Sequence, residues 1–414
     1  MSPRSDGHAV RVPNADLAAH AERLLSAPRV ERRELALGFD DSTADSTAVH
    51  VGGSAFFPLL LEDVGRATSS VHIVEFGFKP GKIGDAFVDA LARKAKEGVP
   101  VRIVVDRNGS SPEGSSRALY ERLTGAGVQV CRTSGTQARA PFGPVGADGR
   151  PTRWNLHSLG HIDHRKFFVI DGRIGWVGGA GIEDHFEDGR FHDLFVRLEG
   201  SVASQLQLVF LASFRWLGGA VPPSDVPALF PPHEAADDAV PALVLHNAPG
   251  PFRPITDAIA ASLDAARTTL DVINPYVTDR GMIRRIERAA ERGVSVRLFV
   301  PGTPNNWACG SAQRFHHGRL LESGVEILEH PAMLHAKAFV RDGEEVLAGT
   351  CNLEAWSLKR FFEIDVLVRS PELARQFGER FADPAVRISS LGRAPEGAVD
   401  RAKSAALAAV SPLL

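Results

Sequence analysis

His164-Arg165-Lys166-Phe167-Phe168-Val169-Ile170-Asp171 recurs 171 residues later as His335-Ala336-Lys337-Ala338-Phe339-Val340-Arg341-Asp342. Both read His, any residue, Lys, four residues, Asp. Lysine is scarce, 8 residues against 39 arginines in a chain of 414, so chance would supply roughly 0.02 copies of the pattern. The residues between Lys and Asp are mostly β-branched or aromatic, and each copy stops at Asp-Gly (Asp171-Gly172, Asp342-Gly343), a tight hairpin signature. On a strand, residues i and i+2 share a face, so each His is expected beside its Lys. A second strand is expected to run from each turn to Gly178-Gly179 and Gly349-Thr350, where small residues would let a phosphate approach closely.

Outward from the motifs the chain repeats itself. Val71-His72-Ile73-Val74-Glu75-Phe76 is echoed by Leu270-Asp271-Val272-Ile273-Asn274-Pro275. Gly98-Val99-Pro100-Val101-Arg102 is echoed by Gly293-Val294-Ser295-Val296-Arg297, and Gly127-Val128-Gln129-Val130 by Gly324-Val325-Glu326-Ile327. Between the first two pairs lie helical stretches, 83–97 and 282–292, each ending at a Gly before a β-branched run. Strands alternating with helices predict a mixed, largely parallel sheet flanked by helices, built twice. The offset between the repeats drops from 197 to 171 before the motif, so the first half carries 26 extra residues between positions 131 and 160, read as a long loop. The expected domains are a first α/β unit over 45–220, a Pro-rich linker over 221–241, and a second unit over 242–385. Residues 1–44 match neither half and read as a helical appendage or a partly disordered arm; 386–414 form a tail with a short amphipathic helix.

Composition narrows the partners. The charge of −3 removes the global basic field of a protein living mainly on nucleic acid. Three scattered cysteines fit a reducing compartment and neither a disulfide framework nor a zinc cluster. No apolar run reaches the roughly 20 residues of a membrane span, and the N-terminus lacks a secretory signal, so a cytoplasmic chain, peripheral at the inner face of a membrane, is expected. His157, His161 and His164 are spaced four and three apart, but the surrounding Gly and Pro argue against a helix, and no metal site or cofactor is expected. His316 and His317 read as part of a solvated helix face.

Two histidines and two lysines facing one another suit phosphodiester chemistry without metal. One neutral imidazole attacks phosphorus to give a phosphohistidine. The other protonates the leaving oxygen and later takes a proton from the incoming alcohol or water. The ammonium groups neutralise the non-bridging oxygens.

These motifs make residues 53–381 resemble a two-motif member of the phospholipase D superfamily, nearest the cardiolipin synthase and phosphatidyltransferase branch. Asp106-Arg107-Asn108-Gly109-Ser110, Asn274-Pro275-Tyr276, Gly349-Thr350-Cys351-Asn352-Leu353 and His192-Asp193 add to the likeness. The resemblance implies two α/β units about a pseudo-twofold axis with the active site between them. It implies His164 as nucleophile and His335 as acid, with Lys166, Lys337, Asp171 and Asp342 completing the catalytic set. It also implies that each histidine is held by a carboxylate on a neighbouring strand: Asp193 stands 29 residues past His164, and Glu363 stands 28 past His335. Gly178, Gly179, Gly349, Thr350 and Asn352 are expected to support the phosphate. Gly181 departs from the pattern, since the family commonly has Asn there, as Asn352 is in the second half.

The expected substrate is a phospholipid and the acceptor an alcohol or water, with peripheral membrane contact through the 26-residue insert, Phe56-Phe57 and the C-terminal helix. A nuclease is the rival enzyme, predicting a basic channel and steep salt dependence. A non-catalytic membrane scaffold is disfavoured by two intact motifs.

Overall fold

The computed structural model describes residues 10–133, 162–381, 390–391, 395 and 397–410. The first half builds a seven-stranded sheet in the order Ser46–Val51, Leu194–Glu199, Ile174–Gly178, Phe167–Ile170, Val71–Glu75, Val101–Val105, Gln129–Arg132. The second half repeats that order with Val240–Asn247, Glu363–Arg369, Glu345–Gly349, Ala338–Arg341, Thr269–Ile273, Ser295–Pro301 and Glu326–His330. It adds Ser42–Ala44 at one edge and Ser390–Leu391 at the other. The internal repeat in the sequence is therefore a repeat of topology.

Both sheets are mixed α/β layers flanked by helices, as expected, with fewer parallel pairs than the repeat suggests. Parallel pairing is confined to the three strands linked by helices: Lys82–Lys96 crosses over between Val71–Glu75 and Val101–Val105, and Arg280–Glu291 does the same in the second half. The motif strands enter through hairpins and so must pair antiparallel. Both hairpins turn on a pair of residues at positive φ, Asp171 (53°) with Gly172 (64°) and Asp342 (55°) with Gly343 (66°), the conformation the Asp-Gly signature predicts.

Side-chain alternation assigns each sheet face. Phe168 and Ile170 pack outward with Phe57, Phe87 and Leu91 of the flanking helices, whereas Phe167 and Val169 point the other way. Ala338 and Val340 in the second half do likewise, and their inward faces merge with those of the first sheet into one core. Helix Val202–Trp216 runs through that shared core, with Phe210 and Phe214 fully buried. Helix Leu17–Ser26 packs on it through Leu17, Ala21, Leu24 and Leu25. Ser42–Ala44 pairs antiparallel with Val240, Pro241 and Ala242, so the N-terminal segment stitches onto the second sheet. Within 221–241, Val221, Val226 and Leu229 are buried in the same core. One consequence is that the two halves cannot separate without exposing apolar surface, which fixes the geometry of a site at their seam.

Candidate functional site

The seam is closed by short strand-like contacts in front of each motif. His164 N donates to Phe362 O at 2.9 Å and Phe362 N to Ile162 O at 2.9 Å. In the mirror position Phe191–His192 pairs parallel with Met333–Leu334, and His335 N donates to His192 O at 2.7 Å. Each motif histidine is thus laid alongside the residue that precedes the other half's carboxylate, Phe362 before Glu363 and His192 before Asp193.

The carboxylates follow from that crossing. His164 Nδ1 lies 3.1 Å from both oxygens of Glu363, and His335 Nδ1 lies 2.6 Å from Asp193 Oδ2. This exchanges the partners expected from sequence, where each acid was assigned to the histidine of its own half. With Nδ1 engaged, Nε2 is the nitrogen each imidazole has left for chemistry. Glu363 and Asp193 are fully buried, while each histidine keeps 12% of its side chain exposed. The two acids are shifted in opposite directions. Burial raises Glu363 to about 8, against the opposing pull of Ser357 and Thr350. Burial also pushes Asp193 upward, but the His335 hydrogen bond and Lys337 more than offset it and hold Asp193 below the usual range.

Lys166 Nζ donates to His164 O at 2.7 Å and lies 5.0 Å from the Phe76 ring centroid. Lys337 Nζ lies 2.9 and 3.2 Å from the ring nitrogens of His335 and also donates to its carbonyl. Burial depresses both lysines, Lys337 to about 7. Burial, then the lysine charges, keeps both histidines below their ordinary value, His335 at about 3. The empty site is therefore short of protons, and a bound anion would relieve it.

The remaining expected residues divide. Asn352 lines a cavity beside His164, and its amide oxygen is buried without a hydrogen-bond partner. Gly178, Gly179 and Gly349 are small for a different reason than phosphate access. A Cβ at Gly178 or Gly349 would strike the carbonyl of Leu194 or Ile364, and one at Gly179 would strike the Asp193 carboxylate. Thr350 Oγ1 exchanges hydrogen bonds with the backbone of Ile364, the residue after Glu363. At Gly181, the place of the absent amide, the space is taken by Glu183 and the carbonyl of Gly77.

Asp171 and Asp342 are not brought to the histidines. They sit beyond the far end of four-residue strands, about 13 Å of β-structure away. Asp171 accepts from the backbone N–H groups of Thr68, Ser69 and Ser70, and Asp342 from those of Arg267, Thr268 and Thr269. Each clamps its hairpin to the start of the neighbouring strand. Asp171→Ala should lose about 2 kcal/mol of stability and leave turnover per folded molecule unchanged. The N–H groups overcome burial and hold the Asp171 carboxyl below the usual range, so its contribution is present at neutral pH and lost as pH falls through that lowered value. Melting temperatures of wild type and variant should therefore converge in acid; a variant that is equally stable but inactive would return Asp171 to the catalytic set.

The cavity beside His164 measures about 340 Å³ and is walled by Phe76, Ile162, Tyr276, Asn306, Cys309, Asn352, Glu354, Trp356 and Phe361. Most of this wall comes from second-half segments that follow three separate strands, Thr269–Ile273, Ser295–Pro301 and Glu345–Gly349, which sequence pattern alone does not gather. Asp365 was also missed: it accepts from Thr350 N at 2.8 Å and Cys351 N at 3.2 Å, and its position two residues after Glu363 on one strand was the available signal. Buried Glu75, whose second oxygen has no partner, faces the charge of Lys166. His316 and His317 prove buried, not solvated. Phe56 and Phe57 are core residues, 0% and 1% exposed, which removes them as a membrane surface. Among the described residues no cluster of three or more His, Cys, Asp or Glu is arranged to hold a metal, and no helix is long and apolar enough to cross a membrane. His157, His161 and most of the insert lie outside the described residues.

Comparison with known proteins bears on this geometry. The family described as "Cardiolipin synthase, PLD-like domain" matches residues 60–210 and 259–383. A cardiolipin synthase of Geobacillus kaustophilus is 29% identical over 82% of this chain and 67% of its own length. A probable cardiolipin synthase of Bacillus subtilis is 25% identical over 87% of this chain and 71% of its own. Against other curated relatives the chain spans 63% of their length. Among solved structures, phosphatidylserine synthase of Haemophilus influenzae superposes with a TM-score of 0.65, covering 96% of this chain and 100% of that one at 14% identity. Polyphosphate kinase of Porphyromonas gingivalis superposes with a TM-score of 0.52, covering 85% of this chain and 47% of that one at 14% identity. At such identities both likenesses concern the fold alone.

Proposed function

The chain belongs to the cardiolipin synthase, PLD-like domain family, and from that premise we propose that it transfers a phosphatidyl group through a phosphohistidine on His164, to a polyol headgroup or to water. The observation that carries this reading is the crossed pairing of two histidines, each backed by the other half's buried carboxylate, with two buried lysines whose charges reach both rings and a cavity that opens on His164.

His164, with its Nδ1–H donated to Glu363, attacks phosphorus through Nε2. The P–N bond forms as the P–O bond to the leaving alcohol breaks, and that oxygen takes its proton from His335 Nε2. In the second step the acceptor hydroxyl returns a proton to His335, and its oxygen attacks phosphorus to release His164. Lys166 and Lys337 neutralise the non-bridging oxygens throughout. The opposite shifts of the two acids support this division. Asp193, held below the usual range, favours a proton on His335 once a bound anion offsets the burial and the Lys337 charge that hold the free ring at about 3. Glu363, holding its own proton near neutrality, favours the uncharged ring that attack at His164 needs.

Phosphatidylglycerol vesicles with and without glycerol, and single-stranded and duplex DNA, are the substrates to compare in the presence of EDTA, each against His335→Ala. The expected result is lipid turnover that depends on His335, with the ratio of cardiolipin to phosphatidic acid separating transfer from hydrolysis. DNA cleavage without lipid turnover would replace this reading with the nuclease.

A pH profile follows from Lys337. Its depressed value, about 7, means that the free enzyme loses this charge as pH rises. kcat/KM should fall above about pH 7, whereas kcat should hold to higher pH because the bound anion restores the proton. A kcat/KM profile that stays level between about pH 6 and about pH 9 contradicts the assignment.

A further inference from the structure

The mouth of the His164 cavity carries a surface the catalytic scheme does not use. Trp307 is 63% exposed. It opens helix Trp307–Glu322, directly after Asn306 and two residues before Cys309, both of which wall the cavity. An indole this exposed leaves a large apolar face in water, and amphipathic aromatic rings gain most at a boundary between water and hydrocarbon. Across the mouth, Trp356 belongs to the wall itself, and its indole N–H is buried with no partner.

Each tryptophan carries a cation. Lys403 Nζ, from the C-terminal helix Ala398–Val410, lies 5.1 Å from the Trp307 ring centroid, and the Arg360 guanidinium lies 5.1 Å from that of Trp356. Among the described residues neither Lys403 nor Arg360 forms an ion pair, in a chain whose other exposed arginines are often matched with acids. With a net charge of −3 the whole molecule is not drawn to an anionic surface, so any such attraction has to come from a local pair of this kind.

We infer that the rim bearing Trp307, Trp356, Arg360 and Lys403 seats the protein on an anionic phospholipid surface, so that the cavity opens at the lipid boundary. This rests on the phospholipid reading of the site and names the surface through which that substrate arrives. The indoles enter the headgroup layer and the two cations meet lipid phosphates. A phosphodiester near the surface then lies close to His164 without leaving the lipid layer entirely. The insert and Phe56-Phe57 are not needed for this contact. The C-terminal helix takes part through Lys403.

The test uses the full chain with two kinds of phosphatidylglycerol: long-chain in vesicles, and short-chain dissolved as monomers. Trp307→Ala and the double variant Arg360→Glu/Lys403→Glu are compared with wild type. Flotation with phosphatidylcholine vesicles, with and without phosphatidylglycerol, reads binding. The double variant should lose on the order of tenfold or more in binding to the anionic vesicles. Trp307→Ala should lose binding as well, and in both variants vesicle turnover should fall in step while monomer turnover stays within about twofold. Vesicle binding and turnover unchanged in both variants overturns the proposal. Equal loss on monomers and vesicles overturns it too, since the rim would then act inside the cavity. Unchanged vesicle binding with loss of self-association reassigns the rim to a second copy of the chain. If wild type turns over neither form of lipid, the phospholipid reading fails on its own, and the flotation comparison still decides whether the rim binds membranes.

Discussion

His164→Ala should lower turnover by about 10⁴- to 10⁶-fold, and the variant should form no covalent intermediate. The size of the effect follows from what surrounds the ring. His335 is held as the acid by Asp193, and Lys166 and Lys337 are held by backbone carbonyls as charge carriers, not as nucleophiles. The residual rate would reflect positioning and charge neutralisation alone. The fold should survive, because His164 contributes a seam hydrogen bond through its backbone N, which alanine keeps. Added imidazole, entering the space vacated in the cavity wall, should restore part of the rate. A variant that stays folded with near-normal turnover removes His164 from the mechanism.

The exchanged carboxylates predict the second large effect. Glu363→Ala should behave as a defect of His164, and Asp193→Asn as a defect of His335, each costing roughly 10²- to 10⁴-fold on natural lipid. A nitrophenyl phosphodiester separates them, because nitrophenolate leaves without a proton. With that substrate the initial burst of nitrophenolate should survive Asp193→Asn and His335→Ala, and should be lost in Glu363→Ala and His164→Ala. Pairing within each half predicts the opposite grouping, with Asp193→Asn removing the burst.

Much of the architecture was legible because the chain states it twice. Gly98 and Gly293, Gly127 and Gly324, and the two Asp-Gly turns punctuate both halves at matching places, and the sheets have the same strand order. The share of parallel strands was overestimated because hairpins were found at the motifs but not counted as antiparallel pairs. The motif histidines and lysines do converge. Which acid serves which histidine was not legible, since the matched spacings of 29 residues from His164 to Asp193 and 28 from His335 to Glu363 point to partners within each half. That choice is made by the seam contacts Ile162–Phe362 and His192–His335, which join residues far apart in sequence. Asp171 and Asp342 show the reverse failure. Their regular spacing read as catalytic, although the Asp-Gly turn in the same stretch already places them at the far end of a strand. Glu183, filling the space beside Gly181, answers a substitution that one sequence cannot interpret alone.

Mapping the covalent intermediate tests the central claim most directly. Wild type and His335→Ala would be mixed with a nitrophenyl phosphodiester carrying labelled phosphorus, quenched in base to preserve phosphohistidine, and digested for mass spectrometry. The account predicts label on His164, accumulating in His335→Ala because release needs the base. Label on His335 in wild type, or turnover with no labelled histidine in either protein, would contradict it.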